Sequence, residues 1–306
     1  MAKVSVLGYS VLMSHIINRT DWKTLLRAGL EEDGARWDWT TLGSVPGTKS
    51  VQARVVVKAD HCIWAASGLV EALGVLANEF AHLELSAKSK FVDGTEMKKG
   101  AVAVELKGSA HALLVLERPF LNLAQYACGI ATQTHDLVEQ VTRACPKNGP
   151  RLAMTRKTLP GYRDLALGAV IAGGGHPHRL GLSGGVLIKE NHIASAGGIA
   201  RAIEGARKAA PHGLKIECEV RNLEELEQAL EAGAEGVLLD NFTPALVKSA
   251  LNKIPKTKGP RVFVEVSGGL DEHNIASYAL EGVDVLSCGS ITHSVRAADL
   301  SLLVDD

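Results

Sequence analysis

The 306-residue chain balances 33 Lys and Arg against 34 Asp and Glu, and a net charge near zero supplies no global field for nucleic acid or an anionic membrane surface. Its length allows one large or two moderate cores, and 46% hydrophobic content with 31 glycines fits an α/β protein with many short turns. Five scattered cysteines (Cys62, Cys128, Cys145, Cys218, Cys288) without C-x-x-C spacing read as reduced thiols of a cytoplasmic chain, not as a disulfide framework or zinc site.

No apolar run approaches the roughly 18 residues of a membrane span. Val4 to Met13 is broken by Gly8, Tyr9 and Ser10 and lacks a small-x-small cleavage site, so it reads as an ordinary N-terminal segment. Thr20 or Asp21 caps a helix with Trp22, Leu25, Leu26 and Leu30 on one stripe, ended by Gly34. Glu31 to Thr41 (EEDGARWDWTT) reads as a loop. Val51 to Val57 alternates as a strand does, and Ser67 caps a second helix with Val70, Leu73 and Leu76 on its stripe. Leu83–Lys90 and Ala101–Leu106 are further strands, parted by the Asp93-Gly94 turn and by Gly100. A long helical pattern covers about Ala110 to Ala144, interrupted near Pro119.

After Pro150 short apolar strands alternate with helices: Arg151–Thr155, Gly185–Lys189, Leu214–Glu219, Gly236–Asp240, Arg261–Val266 and Asp284–Ser287. Repeated β-α units imply a parallel sheet. Six convincing strands do not support a complete eight-fold barrel.

The strand ends carry the chemistry, because in β/α folds residues there converge on one space. The first strand runs into Arg156-Lys157, the second into Lys189, the third into Glu219 and the fourth into Asp240. The fifth and sixth run into the glycine turns Ser267-Gly268-Gly269 and Ser287-Cys288-Gly289, whose backbone N–H groups, with a helix N-terminus behind, suit a phosphate monoester. Between Arg151 and His192 stand six cations against two acids, interleaved with Gly and apolar residues, which describes a pocket for a small polyanion better than a solvated face. Glu217 and Glu219 share a strand face, and with Asp240 they can hold Mg²⁺ beside a pyrophosphate. For Glu217 the alternative, neutralising a neighbouring cation, is equally open. His178, after the glycine triplet Gly173–Gly175, joins the cationic group. Asn191-His192 can form a turn that positions Lys189. Cys128 and Cys218 read as small core residues.

These motifs resemble the quinolinate phosphoribosyltransferase family from about Leu30 to Leu303. They comprise L-x-E-D-x-x-x-x-D-x-T-T (Leu30–Thr41), E-R-x-x-L-N (Glu117–Asn122), G-I-A-T (Gly129–Thr132), T-R-K-T-x-P-G (Thr155–Gly161) and G-G-G-x-x-H-R (Gly173–Arg179). L-I-K-x-N-H (Leu187–His192), I-E-C-E-V (Ile216–Val220), L-L-D-N-F (Leu238–Phe242) and S-G-G (Ser267–Gly269) complete the order. The departures are Pro177 where Asn is common, Glu190 for Asp, and Cys128 for Ser.

The resemblance implies an α/β sandwich domain over 1–129, with the tail 290–306 packing back on it, and an open, incomplete TIM-like β/α barrel of about six to seven strands over 130–289. It implies transfer of phosphoribosyl from phosphoribosyl pyrophosphate to quinolinate with decarboxylation, giving nicotinate mononucleotide. Arg118, Arg156, His178, Arg179 and Lys189 would bind quinolinate. Lys157, Lys189, Glu219 and Asp240 would be catalytic, with Mg²⁺ on Glu219 and Asp240 and no organic cofactor. Lys157, Ser267, Gly268, Gly269, Ser287 and Gly289 would hold the phosphates. A homodimer is implied in which Arg118 enters the partner's site, with a higher assembly of dimers left open, and with neither nucleic acid nor membrane as partner. Two other readings remain open: a phosphoribosyltransferase for another anionic ring, and a phosphate-binding barrel lyase or aldolase using Lys189.

Overall fold

The computed structural model describes residues 21–81, 83–255 and 261–305; the segment Val4 to Met13 and the candidate cap Thr20 lie outside them. The first five strands are β1 (Ser50–Val57), β2 (His61–Ile63), β3 (Leu85–Ser89), β4 (Glu96–Lys98) and β5 (Val102–Ser109). Six more follow, β6 (Arg151–Ala153), β7 (Val186–Ile188), β8 (Ile216–Val220), β9 (Gly236–Asp240), β10 (Phe263–Ser267) and β11 (Val285–Ser287), and β12 is Leu300–Val304. Two compact units divide the described residues, one drawing on those within 21–133, 160–174 and 295–305, the other on those within 134–159 and 175–294.

In the first unit an antiparallel sheet runs β12-β1-β5-β3, with β2 and β4 forming a separate pair. The C-terminal strand closes the sheet's edge, Leu300 opposite Val57 and Val304 opposite Ala53, whereas residues 290–294 belong to the other unit. Val55, Val57, Leu69, Leu73 and Leu76 are essentially sealed from water, and each such side chain contributes about 1.5–3 kcal/mol. Strands β2 and β4, three residues each, are too short to announce themselves by alternation.

Two expectations fail here. The helical pattern is not interrupted at Pro119: one 35-residue helix runs Ala110–Ala144 with that proline inside. The loss, about 3 kcal/mol for an interior proline, is outweighed by burial along the helix at Leu113, Leu116, Phe120, Leu121 and Ile130. Gly29 makes room for the ring, since a Cβ there would meet Pro119 Cβ at 3.0 Å. Nor is Glu31 to Thr41 a plain loop. It holds a short 3₁₀ turn, Ala35–Trp37, then a helix Trp39–Ser44 that Asp38 caps by accepting from Thr41 N at 3.0 Å.

The compact units also divide differently from the 129/130 boundary. Residues 160–174, including the helix Arg163–Ala172, belong with the first unit, where Tyr162 meets Tyr126 edge-on at 6.2 Å.

The second unit is a six-stranded parallel sheet in the order β6-β11-β10-β9-β8-β7. No pairing joins β6 to β7 among the described residues, so the sheet is open rather than a closed barrel. Its registers decide what faces the site. Glu219 pairs with Leu238, Leu238 with Glu265, and Asp240 with Ser267. Paired residues point to the same side, and so do residues two apart on one strand. Glu217, Glu219, Leu238, Asp240, Glu265 and Ser267 therefore share one face.

Candidate active site

That face floors a cleft of about 760 Å³ lined by Arg156, Lys157, His178, Arg179, Lys189, Glu219, Asp240, Glu265 and the Ser267–Gly269 turn. The fold thus brings together most of the candidates read from the strand ends. The first unit holds a separate cavity of about 430 Å³ beside Trp37 and Leu42. Its lining is mainly apolar, and His111 there already engages the Val45 carbonyl at 2.8 Å.

One end of the cleft is open and carboxylate-rich. Lys189 Nζ donates to Glu219 at 2.5 Å, and Lys189 N–H donates to His192 Nδ1 at 2.9 Å, so His192 does position the lysine's backbone. Glu219 is 8% exposed, whereas the Lys189 side chain is 47% exposed. Burial, and then the nearby Glu219 carboxylate, raise Asp240 above its ordinary value. Asn241 donates to Asp240 at 2.8 Å and sits at φ +56°. Gly268 takes φ +94° against it, and a Cβ at Gly268 would lie 2.4 Å from Asn241 Oδ1, so this turn requires glycine.

The other end is buried and cation-rich. Arg156 and Arg179 each keep a buried Nε without a partner, an arrangement that wants an anion. Burial, and then Arg156 beside it, lower Arg179 from its ordinary value. Arg179 N–H donates to His178 Nδ1 at 2.8 Å, and its guanidinium donates to the Gly185 carbonyl at 3.0 Å. His178 Nε2 lies 3.1 Å from both oxygens of Glu265, itself 3% exposed. Glu217 completes the group, and burial followed by the Glu265 carboxylate push it up to about 8.

Several sequence expectations are modified by this geometry. His178 has both ring nitrogens engaged inside the protein, Nε2 by Glu265 and Nδ1 by the Arg179 N–H. Ser287 is 1% exposed, with its hydroxyl buried and without a hydrogen-bond partner. The helices behind the glycine turns, Ile275–Tyr278 and Ser290–His293, have four residues each, too short to add much of a helix dipole behind the turns' backbone N–H groups. Gly289 does touch the candidate machinery, since a Cβ there would meet Lys157 Cδ at 3.2 Å. Arg118 is an exposed residue of the first unit. Cys128 and Cys218 are fully buried, as core residues should be.

Glu265 and Asn241 were missed as site residues. The signal for Glu265 was its position two residues before Ser267, which fixes it on the same face. As for a divalent cation, Glu219 and Asp240 fit: both project from one face, and their mutual repulsion, which helps raise Asp240, is what a dication relieves.

Two family models match, the quinolinate phosphoribosyl transferase N-terminal domain over residues 38–128 and its C-terminal domain over 130–303. A Methanocaldococcus jannaschii protein named a probable nicotinate-nucleotide pyrophosphorylase (carboxylating) is 40% identical over 282 residues, 91% of this chain and 95% of the relative. The Mycobacterium leprae nicotinate-nucleotide pyrophosphorylase (carboxylating) is 38% identical, over 90% of this chain and 95% of the relative. The solved nicotinate-nucleotide pyrophosphorylase from Francisella tularensis superposes with a TM-score of 0.81 at 35% identity, covering 95% of this chain and 96% of that one. The chain belongs to the quinolinate phosphoribosyltransferase family.

Proposed function

We propose that this chain transfers phosphoribosyl from phosphoribosyl pyrophosphate to the ring nitrogen of quinolinate, with decarboxylation, giving nicotinate mononucleotide, CO₂ and pyrophosphate for NAD synthesis. The observation that carries the reading is the pair of buried, unpartnered Nε donors on Arg156 and Arg179 at one end of a cleft whose other end bears carboxylates and a glycine turn. A pyridine dicarboxylate satisfies the first end. A phosphorylated ribose bearing pyrophosphate satisfies the second.

Arg156, Arg179 and Lys189 engage the two carboxylates, and guanidinium forks hold the ring so that its nitrogen faces the ribose. A bond forms from that nitrogen to ribose C1′ as the bond from C1′ to pyrophosphate oxygen breaks. Glu219 and Asp240 line the same cleft, and in this reading they stabilise the positive charge that grows on the ribose. The same two carboxylates would hold Mg²⁺, which when bound shields the departing pyrophosphate. Lys157 and the backbone of Ser267, Gly268 and Gly269 bind phosphate oxygens, with Gly289 giving Lys157 its room. The ribosylated ring is cationic, so it accepts the electron pair left at C2 as the 2-carboxylate departs, and a proton then replaces it. This step calls for no organic cofactor.

Arg118 completes the dicarboxylate clamp from a second copy of the chain, making a homodimer with shared sites the working unit, in the cytoplasm. Reduced thiols support that location: the five cysteines are free. A Schiff-base role for Lys189 fits less well, because its side chain is half exposed and its amine is engaged by Glu219, without the apolar pocket such an amine uses. Incubation with quinolinate, phosphoribosyl pyrophosphate and Mg²⁺ should yield nicotinate mononucleotide; no product under these conditions would end this reading.

A further inference from the structure

We infer that Glu265 is a positioning residue for the anion-binding end of the cleft, acting on Arg179 through the His178 ring. The kinetic part of its test rests on the phosphoribosyl-transfer reading, whereas the spectroscopic part does not. Glu265 stands on β10 between the buried Val264 and Val266, 3% exposed, on the face that lines the cleft. A buried carboxylate near an anionic substrate is unfavourable both for its own desolvation and for binding. Its presence therefore needs a reason other than contact with the substrate.

The hydrogen bonds supply that reason. Both Glu265 oxygens lie 3.1 Å from His178 Nε2, so this nitrogen carries the proton and donates. On the ring's other side His178 Nδ1 accepts from Arg179 N–H at 2.8 Å. An imidazolium cannot make this second bond, because two donors would face each other. Turning the ring over would set carbon atoms against both partners. One tautomer in one orientation satisfies the arrangement, and Glu265 selects it. Arg179 is then fixed at its backbone by His178 and at its guanidinium by the Gly185 carbonyl at 3.0 Å, while its buried Nε keeps no protein partner. The chain of contacts thus runs from a carboxylate on β10 to a cation poised for the substrate. Glu217 lies in the same group, its carboxylate within 4.8 Å of His178 and Glu265. Only Glu265 among the two acids holds the imidazole.

The test combines kinetics with the ring's protonation pattern. Glu265→Ala should raise KM for quinolinate about tenfold or more, with a smaller change in kcat and little change in KM for phosphoribosyl pyrophosphate. Glu265→Gln, which keeps an acceptor oxygen, should recover most of the loss. In a His178→Asn background, where the amide oxygen can replace Nδ1, Glu265→Ala should add less than about a twofold effect. Losses that simply multiply in the double variant would overturn the inference, as would a Glu265→Ala effect confined to kcat. Should the Ala variant fail to fold, a folded Glu265→Gln variant that still loses more than about tenfold in quinolinate KM would also overturn it. Independently of activity, ¹⁵N-histidine spectra of the wild type should show the His178 signal, assigned by its loss in His178→Asn, as the Nε2–H tautomer. A ring protonated at Nδ1 contradicts the inference even if the enzyme is fully active. If the wild type makes no nicotinate mononucleotide, the functional reading fails, and this spectrum alone decides the role of Glu265.

Discussion

The two ends of the cleft are built on opposite principles. At the buried end, Glu265 and His178 are wired to each other and to Arg179, leaving guanidinium donors unsatisfied. At the open end, Lys189 reaches Glu219 from a half-exposed position, and Asp240 and Asn241 sit at a strand end beside a glycine turn. Buried unpaired donors penalise a ligand that leaves them empty, so under the proposed reading that end would set which ring enters. At the other end Lys189 is half exposed over the buried Glu219, and under the proposed reading that end would take a metal-bound leaving group. Under the proposed reading, the Arg156–Arg179 group would select the ring and the Glu219–Asp240 group would serve turnover within a single cleft.

The largest expected effect tests the buried end. Nicotinate, which lacks the 2-carboxylate, should show kcat/KM at least about 1,000-fold below quinolinate, since buried groups built for a polar partner reject the analogue without it. Comparable values would reduce that end to a general anion surface. Next, Arg179→Ala and Lys189→Ala should each lose at least about 100-fold in kcat/KM. The separation of roles sharpens this: Arg179→Ala should act on quinolinate KM, Lys189→Ala on kcat as well. Near-normal kinetics in either variant would return that residue to the solvated surface.

A third effect concerns Arg118. Arg118→Ala and Lys189→Ala homodimers should each be nearly inactive. Co-refolded mixtures should regain up to about a quarter of wild-type activity if subunits pair at random and sites are independent. No recovery, with mixed dimers demonstrated, would place Arg118 in its own subunit's site.

The smallest effect is on stability. Glu217 rises from an ordinary 4.5 to about 8 on folding, so the folded state keeps a proton that the unfolded chain releases. Its contribution is fully present below about pH 4.5 and fades as pH rises through about 8. Glu217→Gln removes that slope, so the variant should gain Tm relative to wild type between mildly acidic and mildly alkaline buffer. A constant Tm difference across that range would show that Glu217 titrates normally.

Much of this site was legible because a parallel strand that ends in a charged residue delivers it to a common edge. Lys189, Glu219 and Asp240 are legible in this way, and all three line the cleft. Glu265 escaped although the same parity rule that paired Glu217 with Glu219 links it to Ser267; the valines around it were read as core and the acid between them passed over. Asn241 escaped because its role depends on a left-handed backbone against Gly268, a tertiary feature. The engagement of both His178 ring nitrogens was equally out of reach, since it depends on partners 87 residues away and one residue away at once. Pro119 misled because a local helix penalty was weighed without the burial that offsets it.

The central claim is that one cleft couples ribosyl transfer to loss of the 2-carboxylate. Quinolinate labelled in that carboxylate tests it most directly, by following labelled CO₂ and pyrophosphate together. The account predicts one CO₂ for each pyrophosphate, with neither formed unless both substrates are present. Labelled CO₂ released without phosphoribosyl pyrophosphate, or pyrophosphate released while the carboxylate stays on the ring, would contradict it.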